Sequence, residues 1–225
     1  MIQKGNIPVN ADTLIIKGMV FAVTALPFRI DNLAATLESC LQAAFGADAP
    51  VVSEILSAYG INKFRPEYPP IVRFLNDIGF RLPAQASAEG WATLPEGQRA
   101  YLGHFDSPNP WPGLWQGHAS HALDIAFALQ NYNQYLGSGQ QEVAEQLGRD
   151  IVTFAHGVPP FERLGAKRVA RLYYAEPEDE KARIRDETNG ERPVPVVSLE
   201  KIVGDKVGGL DQLLGVLGSF LKGPA

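Results

Sequence analysis

The side chains best suited to chemistry in this sequence are histidines, which exchange protons near neutral pH. The chain has four of them. His104, His118 and His121 lie close together, and His156 follows later. The carboxylate of Asp124 lies three positions after His121. Because imidazole and carboxylate groups together can bind a metal ion or act in proton transfer, this stretch is the first candidate for a functional site.

A zinc site would use His118 and His121 as a pair, with His104 or Asp106 as a third ligand. The pair has the spacing H-x2-H, which differs from the helical H-E-x-x-H site, and no acidic residue lies between its members. We therefore expect no metal site. The alternative without a catalytic role is that these histidines are polar loop and helix-start residues with ordinary hydrogen bonds.

An aromatic loop separates the histidines. SPNPWPGLWQG (Ser107 to Gly117) holds three prolines, two glycines and two tryptophans, which predicts an irregular backbone. Trp111 and Trp115, with Phe105, are candidates for the wall of a substrate pocket, although they can equally pack the loop onto the core. His121 then begins a predicted helix that is apolar nearly all round, which indicates burial. A loop that exposes the ring, and a buried helix that holds it, suit a general base.

The remaining sequence predicts an α/β fold. Strands are predicted at Thr13 to Ile16, Arg99 to Phe105 and Arg168 to Ala175. Helices are predicted from an Asp31 cap to Phe45, from Pro50 to Tyr59, from Pro69 through Ile78, from His121 to Tyr135 and from Val143 to Phe154. A loop is predicted over Ala84 to Gly97, a charged, turn-rich connection over residues 176–196, and an amphipathic helix within 197–225 with Leu210, Leu213, Leu214, Leu217 and Leu221 on one side.

The string DSPNPWPGLWQGHASHALDIAFALQNYN (Asp106 to Asn133) resembles the region around the catalytic histidine in type B carboxylesterases. These form the cholinesterase-like branch of the α/β-hydrolases, and the resemblance is closest to fungal members. In that family an aromatic loop leads to the histidine, which is followed three residues later by an acidic residue and then by an apolar stretch. The matching positions are Gly117, Ala119, His121, Asp124, Ile125, Ala126 and Phe127. The resemblance covers roughly Asp12 to Gly165.

The resemblance implies a fold and a reaction. Residues 1–175 would be the C-terminal part of an α/β-hydrolase domain, with few sheet strands and packed helices, incomplete relative to the family. The reaction would be hydrolysis of a small carboxylic ester through an acyl-serine intermediate, without a metal or organic cofactor. His121 would be the general base, with Asp124 in support.

Two parts of the family's machinery have no match. No serine in the chain has a glycine two positions before it and two positions after it, so the Gly-x-Ser-x-Gly elbow is absent, as is the glycine-rich oxyanion loop. The family's acid precedes a glycine that corresponds to Gly18, and Lys17 occupies that position. A lysine cannot orient an imidazolium. We therefore expect the chain to be inactive alone.

Three explanations remain open. The chain is a truncated or mis-joined piece of a longer esterase, a short relative that has lost catalysis and serves as a binding module, or an independent enzyme built on His118, His121 and Asp106. A piece of a larger enzyme would leave uncovered apolar faces that favour self-association, and unpaired sheet edges at Thr13 to Ile16 and at Arg99 to Phe105.

Composition excludes several classes of protein. The chain has 225 residues, of which 45% are hydrophobic and 20% charged, as in ordinary soluble globular proteins. Its net charge of −5 offers no general attraction for nucleic acid or anionic lipid. A single cysteine, Cys40, excludes an internal disulfide. The chain begins without a signal-peptide pattern and has no membrane-spanning run, which as given indicates a cytoplasmic protein, although the family is often secreted.

Overall fold

The chain forms a mixed α/β structure that divides into two compact units. A computed structural model describes residues 13–18, 32–64, 68–93, 99–113, 115–120, 122–165, 168–187, 199–203 and 209–222. The first unit comprises Met1–Phe21 and Pro83–Val196, and the second comprises Ala22–Leu82 and Val197–Ala225. No described helix is both long enough and apolar enough to cross a membrane.

The first unit is built on a four-stranded sheet. Its strands, in spatial order, are β1 (Thr13–Gly18), β2 (Ala100–Phe105), β3 (Ala170–Tyr174) and β4 (Arg183–Glu187). β1, β2 and β3 are parallel, and β4 is antiparallel to β3. The three apolar runs predicted as strands are therefore confirmed. The expectation of an unpaired edge at β2 is wrong, because β2 lies between two partners and all six of its residues are buried.

β4 lies where the sequence predicts a charged, turn-rich connection, and that prediction is wrong for Arg183–Glu187. Four of the five side chains in RIRDE are charged, so the segment carries little of the apolar signal of a strand. It pairs along its whole length with β3. An ion pair between Arg171 on β3 and Asp186 on β4 joins the two strands as well.

Alternating side chains of β2 build a core on each face of the sheet. On one face, Tyr101 and Phe105 pack with residues of α5 (Leu123–Ala128) and α6 (Ser138–Ala155). On the other face, Ala100 and Leu102 pack with Ala88 of the next helix described below.

That helix, α4 (Leu82–Ala92), replaces the loop predicted over Ala84 to Gly97. The prediction is wrong because the segment LPAQASAEGWA lacks an apolar stripe of helical period, although alanine, glutamine and glutamate are good helix formers. Pro83 suggests a break, but it is the second residue of α4 and lies two positions after the π-helical turn Asp77–Arg81, where the register of backbone hydrogen bonds already changes.

The segment predicted as one buried helix from His121 to Tyr135 is shorter and more exposed. α5 is followed by turns and by a 3₁₀ helix at Asn133–Tyr135. Ile125 is 56% exposed and Leu129 is 64% exposed, so the predicted burial is wrong for this side of the helix. The two α5 side chains that are buried are Leu123 and Phe127.

The second unit is helical. Its elements are α1 (Leu33–Phe45), α2 (Pro50–Tyr59), α3 (Tyr68–Asn76), the π-helical turn, α7 (Leu199–Val203) and α8 (Gly209–Lys222). α1 is capped by Asn32, whose Oδ1 accepts a hydrogen bond from Ala35 N at 3.2 Å. The predicted cap, Asp31, lies outside the described residues.

The buried face of α8 differs from the predicted leucine stripe. Leu214 and Leu221 are exposed, and the helix instead buries a face spaced by three and four residues. That face consists of Leu213, Val216 and Phe220.

Three buried polar side chains hold the π-helical turn in this unit. The Tyr59 hydroxyl donates to Asp77 Oδ2 at 2.6 Å, and Arg81 Nε lies 2.9 Å from Asp77 Oδ1. Burial, and then the neighbouring Asp77 carboxylate, raise the pKa of Tyr59. The hydroxyl therefore stays protonated and keeps donating.

Close backbone packing at the start of α6 gives a stability prediction. A Cβ atom at Gly139 would lie 2.6 Å from Asp179 O, the atom to which Gly139 N donates at 2.9 Å. We expect Gly139→Ala to lower the free energy of unfolding by about 2 kcal/mol, because two backbone segments must separate. Urea denaturation followed by circular dichroism measures the change.

Gly90 in α4 supplies the matched control. A Cβ at Gly90 meets nothing within 4 Å, so Gly90→Ala should raise the free energy of unfolding by about 0.5–1 kcal/mol. Equal unfolding curves for Gly139→Ala and the unaltered chain would contradict the packing described at α6.

Candidate active site

The loop that leads towards His121 leaves the sheet at the carboxyl end of β2. In the parallel register of β1 and β2, Lys17 lies opposite His104 and Gly18 opposite Phe105. Both strands therefore end at the same edge of the sheet, where ligand sites of parallel sheets lie. The backbone position before Gly18 therefore lies opposite His104, two residues before the loop begins.

Buried hydrogen bonds fix the beginning of this loop to β3. Asp106 N donates to Tyr173 O at 3.0 Å. The Ser107 hydroxyl, which is fully buried, accepts from Ala175 N at 3.1 Å and contacts Tyr173 O at 3.4 Å. The chain therefore departs from β2 in one defined direction.

Gln140 joins α6 to the same point. Its side chain is fully buried, and Nε2 donates to Pro108 O at 2.8 Å and to Ala175 O at 3.3 Å. One amide thus connects the helix, the loop and the end of β3. Sequence reasoning missed Gln140, because a glutamine in the first turn of a helix carries no signal of burial.

The loop closes on itself beyond Pro108. Asn109 N donates to His118 O at 3.0 Å, and Gly117 N donates back to Asn109 O at 2.9 Å. The Asn109 side chain accepts from Trp111 N at 2.9 Å. Gly117 has φ of 78°, a left-handed conformation that glycine adopts without strain. Residues 109–113 and 115–118 therefore form a closed lobe of backbone between β2 and α5.

The structure describes some of the predicted site residues and not others. His118 is exposed on the lobe. His121 lies outside the described residues, so its role as general base stays a prediction. Its neighbour Ala122 has φ of 61°, which is unusual for a residue with a side chain. Asp124 is half-buried in the first turn of α5.

The aromatic candidates separate into two groups. Phe105 is 1% exposed and packs edge-to-face on Phe127, with ring centroids 5.0 Å apart, which favours a role in the core. Trp111 is half-buried and packs edge-to-face on Tyr132, with centroids 5.6 Å apart. Together with Tyr135, these two rings line a pocket of about 550 Å³. Trp115 is half-buried and is not among the residues that line this pocket.

Tyr132 and Tyr135 were not predicted as pocket residues. The sequence placed them at the end of a buried helix, and only the turns after α5 bring them to the surface beside Trp111. An aromatic residue within a predicted helix gives no sign of which side of that helix stays open to solvent.

The other two histidines lie on two different elements. His104 is buried within β2, whereas His156 is exposed at the end of α6, with Nδ1 2.7 Å from Val152 O. Among the described residues, no three histidine, cysteine or acidic side chains are arranged to hold a metal ion.

A second buried network supports β3 where it anchors the loop. The Tyr173 hydroxyl donates to Asp150 Oδ2 at 2.7 Å, and Gln146 Nε2 donates to Asp150 Oδ1 at 2.7 Å. Burial raises the pKa of the Asp150 carboxyl, although these hydrogen bonds and Arg171 act to lower it. Burial and the Asp150 charge raise the pKa of Tyr173. The tyrosine therefore remains a donor and ties β3 to α6.

Comparison with solved structures shows what this sheet and its helices resemble. A PNB esterase matches with a TM-score of 0.53 and 17% sequence identity, over 79% of this chain and 36% of the esterase. A thermophylic PNB esterase matches with a TM-score of 0.54 and 16% identity, over the same shares of the two chains. This chain has part of the α/β-hydrolase fold.

The match with α/β-hydrolases is partial in two respects. The chain spans about a third of the length of the PNB esterases that it resembles, and their identity with it is low enough that the likeness concerns the fold. The sequence matches no family model and no curated protein. The closer resemblance to fungal members stays a prediction.

The position of Gln140 predicts how the loop is held. Gln140→Met keeps the side-chain volume but leaves Pro108 O and Ala175 O without their buried donor, which costs about 1–3 kcal/mol. We expect faster amide hydrogen exchange in residues 109–118, measured by mass spectrometry of peptic fragments.

Gln141 provides a control one residue away. Its Nε2 donates to Asn133 O and Leu136 O, so Gln141→Met should speed exchange around residues 133–136 and leave the lobe at 109–118 unchanged. Equal exchange in the lobe for both variants would contradict the role assigned to Gln140.

Proposed function

We propose that this chain supplies the histidine-bearing part of a carboxylic ester hydrolase. The substrate class is a small carboxylic ester, and His121 is the general base. The partial likeness to PNB esterases supports the proposal at the level of the fold.

The observation that carries the proposal is the parallel pairing of β1 with β2. A serine hydrolase needs its acid beside its histidine, because the acid holds the imidazole in the correct tautomer and stabilises the imidazolium. In this chain the position before Gly18 and the loop towards His121 leave the same edge of the sheet from adjacent strands. This pairing supports the proposal, because the strand that carries Lys17 and the strand that leads into the loop towards His121 are neighbours.

The proposed chemistry is acyl transfer to a serine and then to water. His121 takes the proton of the serine hydroxyl as it attacks the ester carbonyl, and gives it to the leaving alcohol. Water then attacks the acyl-serine with the same histidine as base. No metal or organic cofactor takes part. Trp111 and Trp115 stay candidates for contact with the acyl or alcohol group.

Two departures favour a second candidate, a binding module without catalysis. No serine of the chain lies in a Gly-x-Ser-x-Gly elbow, and Lys17 occupies the position of the acid. A lysine there would repel a protonated imidazole instead of stabilising it. The hydrolase proposal therefore requires a serine elbow and an acid outside the sequence as it stands here.

The native transcript distinguishes the two candidates. Sequencing across its 5′ end and across the codons for Ile16 and Lys17 should reveal a longer message, with an in-frame serine elbow and an acidic residue before Gly18. A message that starts at Met1 and encodes Lys17 would overturn the hydrolase proposal and leave the binding module.

The role of His121 is tested in the protein encoded by that longer message. His121→Ala should lower kcat for a short-chain nitrophenyl ester by at least about a thousandfold, because the serine loses its base. His118→Ala changes an exposed histidine three positions earlier in the sequence, is the matched control and should retain activity. Activity that survives His121→Ala would assign the base to another residue.

A further inference from the structure

The exposed apolar side chains of the first unit lie in one part of the chain. Among the described residues of this unit, every exposed large hydrophobic side chain falls between positions 125 and 158. Apart from the two tyrosines of the pocket, these are Ile125, Leu129, Ile151, Val152 and Val158. A concentration of exposed apolar side chains is typical of a surface that another molecule covers.

The contact between α5 and α6 brings several of these side chains to one place. A Cβ atom at Gly148 on α6 would lie 3.1 Å from Ala128 O at the end of α5, so the two backbones are in close contact there. Leu129 directly follows Ala128, and Ile125 lies one turn before Leu129. Val152 lies one turn after Gly148, on the same side of α6. We call Ile125, Leu129 and Val152 the α5–α6 patch.

Opposite charges lie beside this patch on α6. Glu145 and Arg149 are both exposed and lie one turn apart, and Val152 continues their row. The Arg149 guanidinium donates to Gln146 Oε1 at 3.2 Å. Within the described part of the chain, neither Glu145 nor Arg149 takes part in an ion pair. A row with its acid nearer the beginning of the helix and its cation nearer the end is complementary to its own copy in the reverse direction.

We propose that the α5–α6 patch binds a second copy of this chain, with the two α6 helices antiparallel about a two-fold axis. Glu145 then faces Arg149 of the partner subunit, and the symmetry repeats this ion pair. A parallel arrangement would place like charges together. Burial of the apolar patch stabilises the dimer, whereas the charges set its direction.

The occupant is argued from charge as well as from apolar area. A net charge of −5 disfavours an anionic lipid surface, whereas a second copy supplies both partners for the charged row. The dimer requires neither a serine nucleophile nor His121, so this proposal is independent of the ester hydrolase proposal.

Sedimentation velocity of the full chain, at concentrations up to about 0.1 mM, tests the proposal. We expect a reversible equilibrium between one species with the mass of the chain and one with twice that mass. A chain that stays monomeric over this range would overturn the proposal and leave the patch to a different polypeptide. Association that continues beyond two molecules would also overturn it, because a two-fold interface closes on itself.

Charge reversal tests the direction of the two helices. Glu145→Arg and Arg149→Glu each replace attraction by repulsion at two symmetric places, so each should raise the Kd of the dimer by at least about tenfold. The double variant that combines them should restore dimerisation, because its charges are complementary again. Unchanged dimerisation in both single variants, or no recovery in the double variant, would refute the antiparallel arrangement.

Exposed leucines in the two units locate the interface. Leu129→Asn removes apolar area from the patch in both copies and should raise the Kd of the dimer by about tenfold. Leu221→Asn is the matched control, because Leu221 is a 48% exposed leucine on α8 in the other unit. Dissociation caused by Leu221→Asn but not by Leu129→Asn would place the interface elsewhere and refute the assignment.

Discussion

Strand β2 lies between two parallel neighbours, and this constraint orders the rest of the first unit. All six of its residues are buried, so its backbone hydrogen bonds can be satisfied only within the sheet. Parallel pairing then requires that the next segment start at the edge where β1 ends. The aromatic lobe therefore begins beside Gly18 because of strand direction, before any side-chain chemistry is considered.

Hydrogen bonds between residues that are far apart in the sequence then fix the path of the loop. Ser107 and Gln140 both contact the end of β3 or the carbonyl before the lobe, and both are fully buried. Each would be costly to bury alone, since an unpaired polar group loses its bonds with water. Because their partners lie tens of residues away along the chain, the lobe keeps its position only while β3 and α6 are packed against β2.

The sequence predicts those elements whose local signals agree. α2 has proline at its first position and glycine after its last, and its predicted and observed bounds coincide. β1 to β3 follow from apolar runs. The predictions for α4 and β4 are wrong for different reasons. The alanine-rich helix has no apolar stripe, and the charged edge strand has little apolar content. The predicted burial is wrong for one side of α5, because periodicity shows which residues are apolar but not whether other residues cover them.

The two edge strands of the sheet differ in direction and in charge. β4 runs antiparallel to β3 and presents Arg183 and Arg185 to solvent. Charged side chains on an edge strand discourage further pairing. β1 is parallel and, among the described residues, pairs only with β2. Enlargement of this sheet, whether by another part of a polypeptide or by a second molecule, is therefore directional. A further strand would be added beside Thr13–Gly18, because the charged side acts as a terminus.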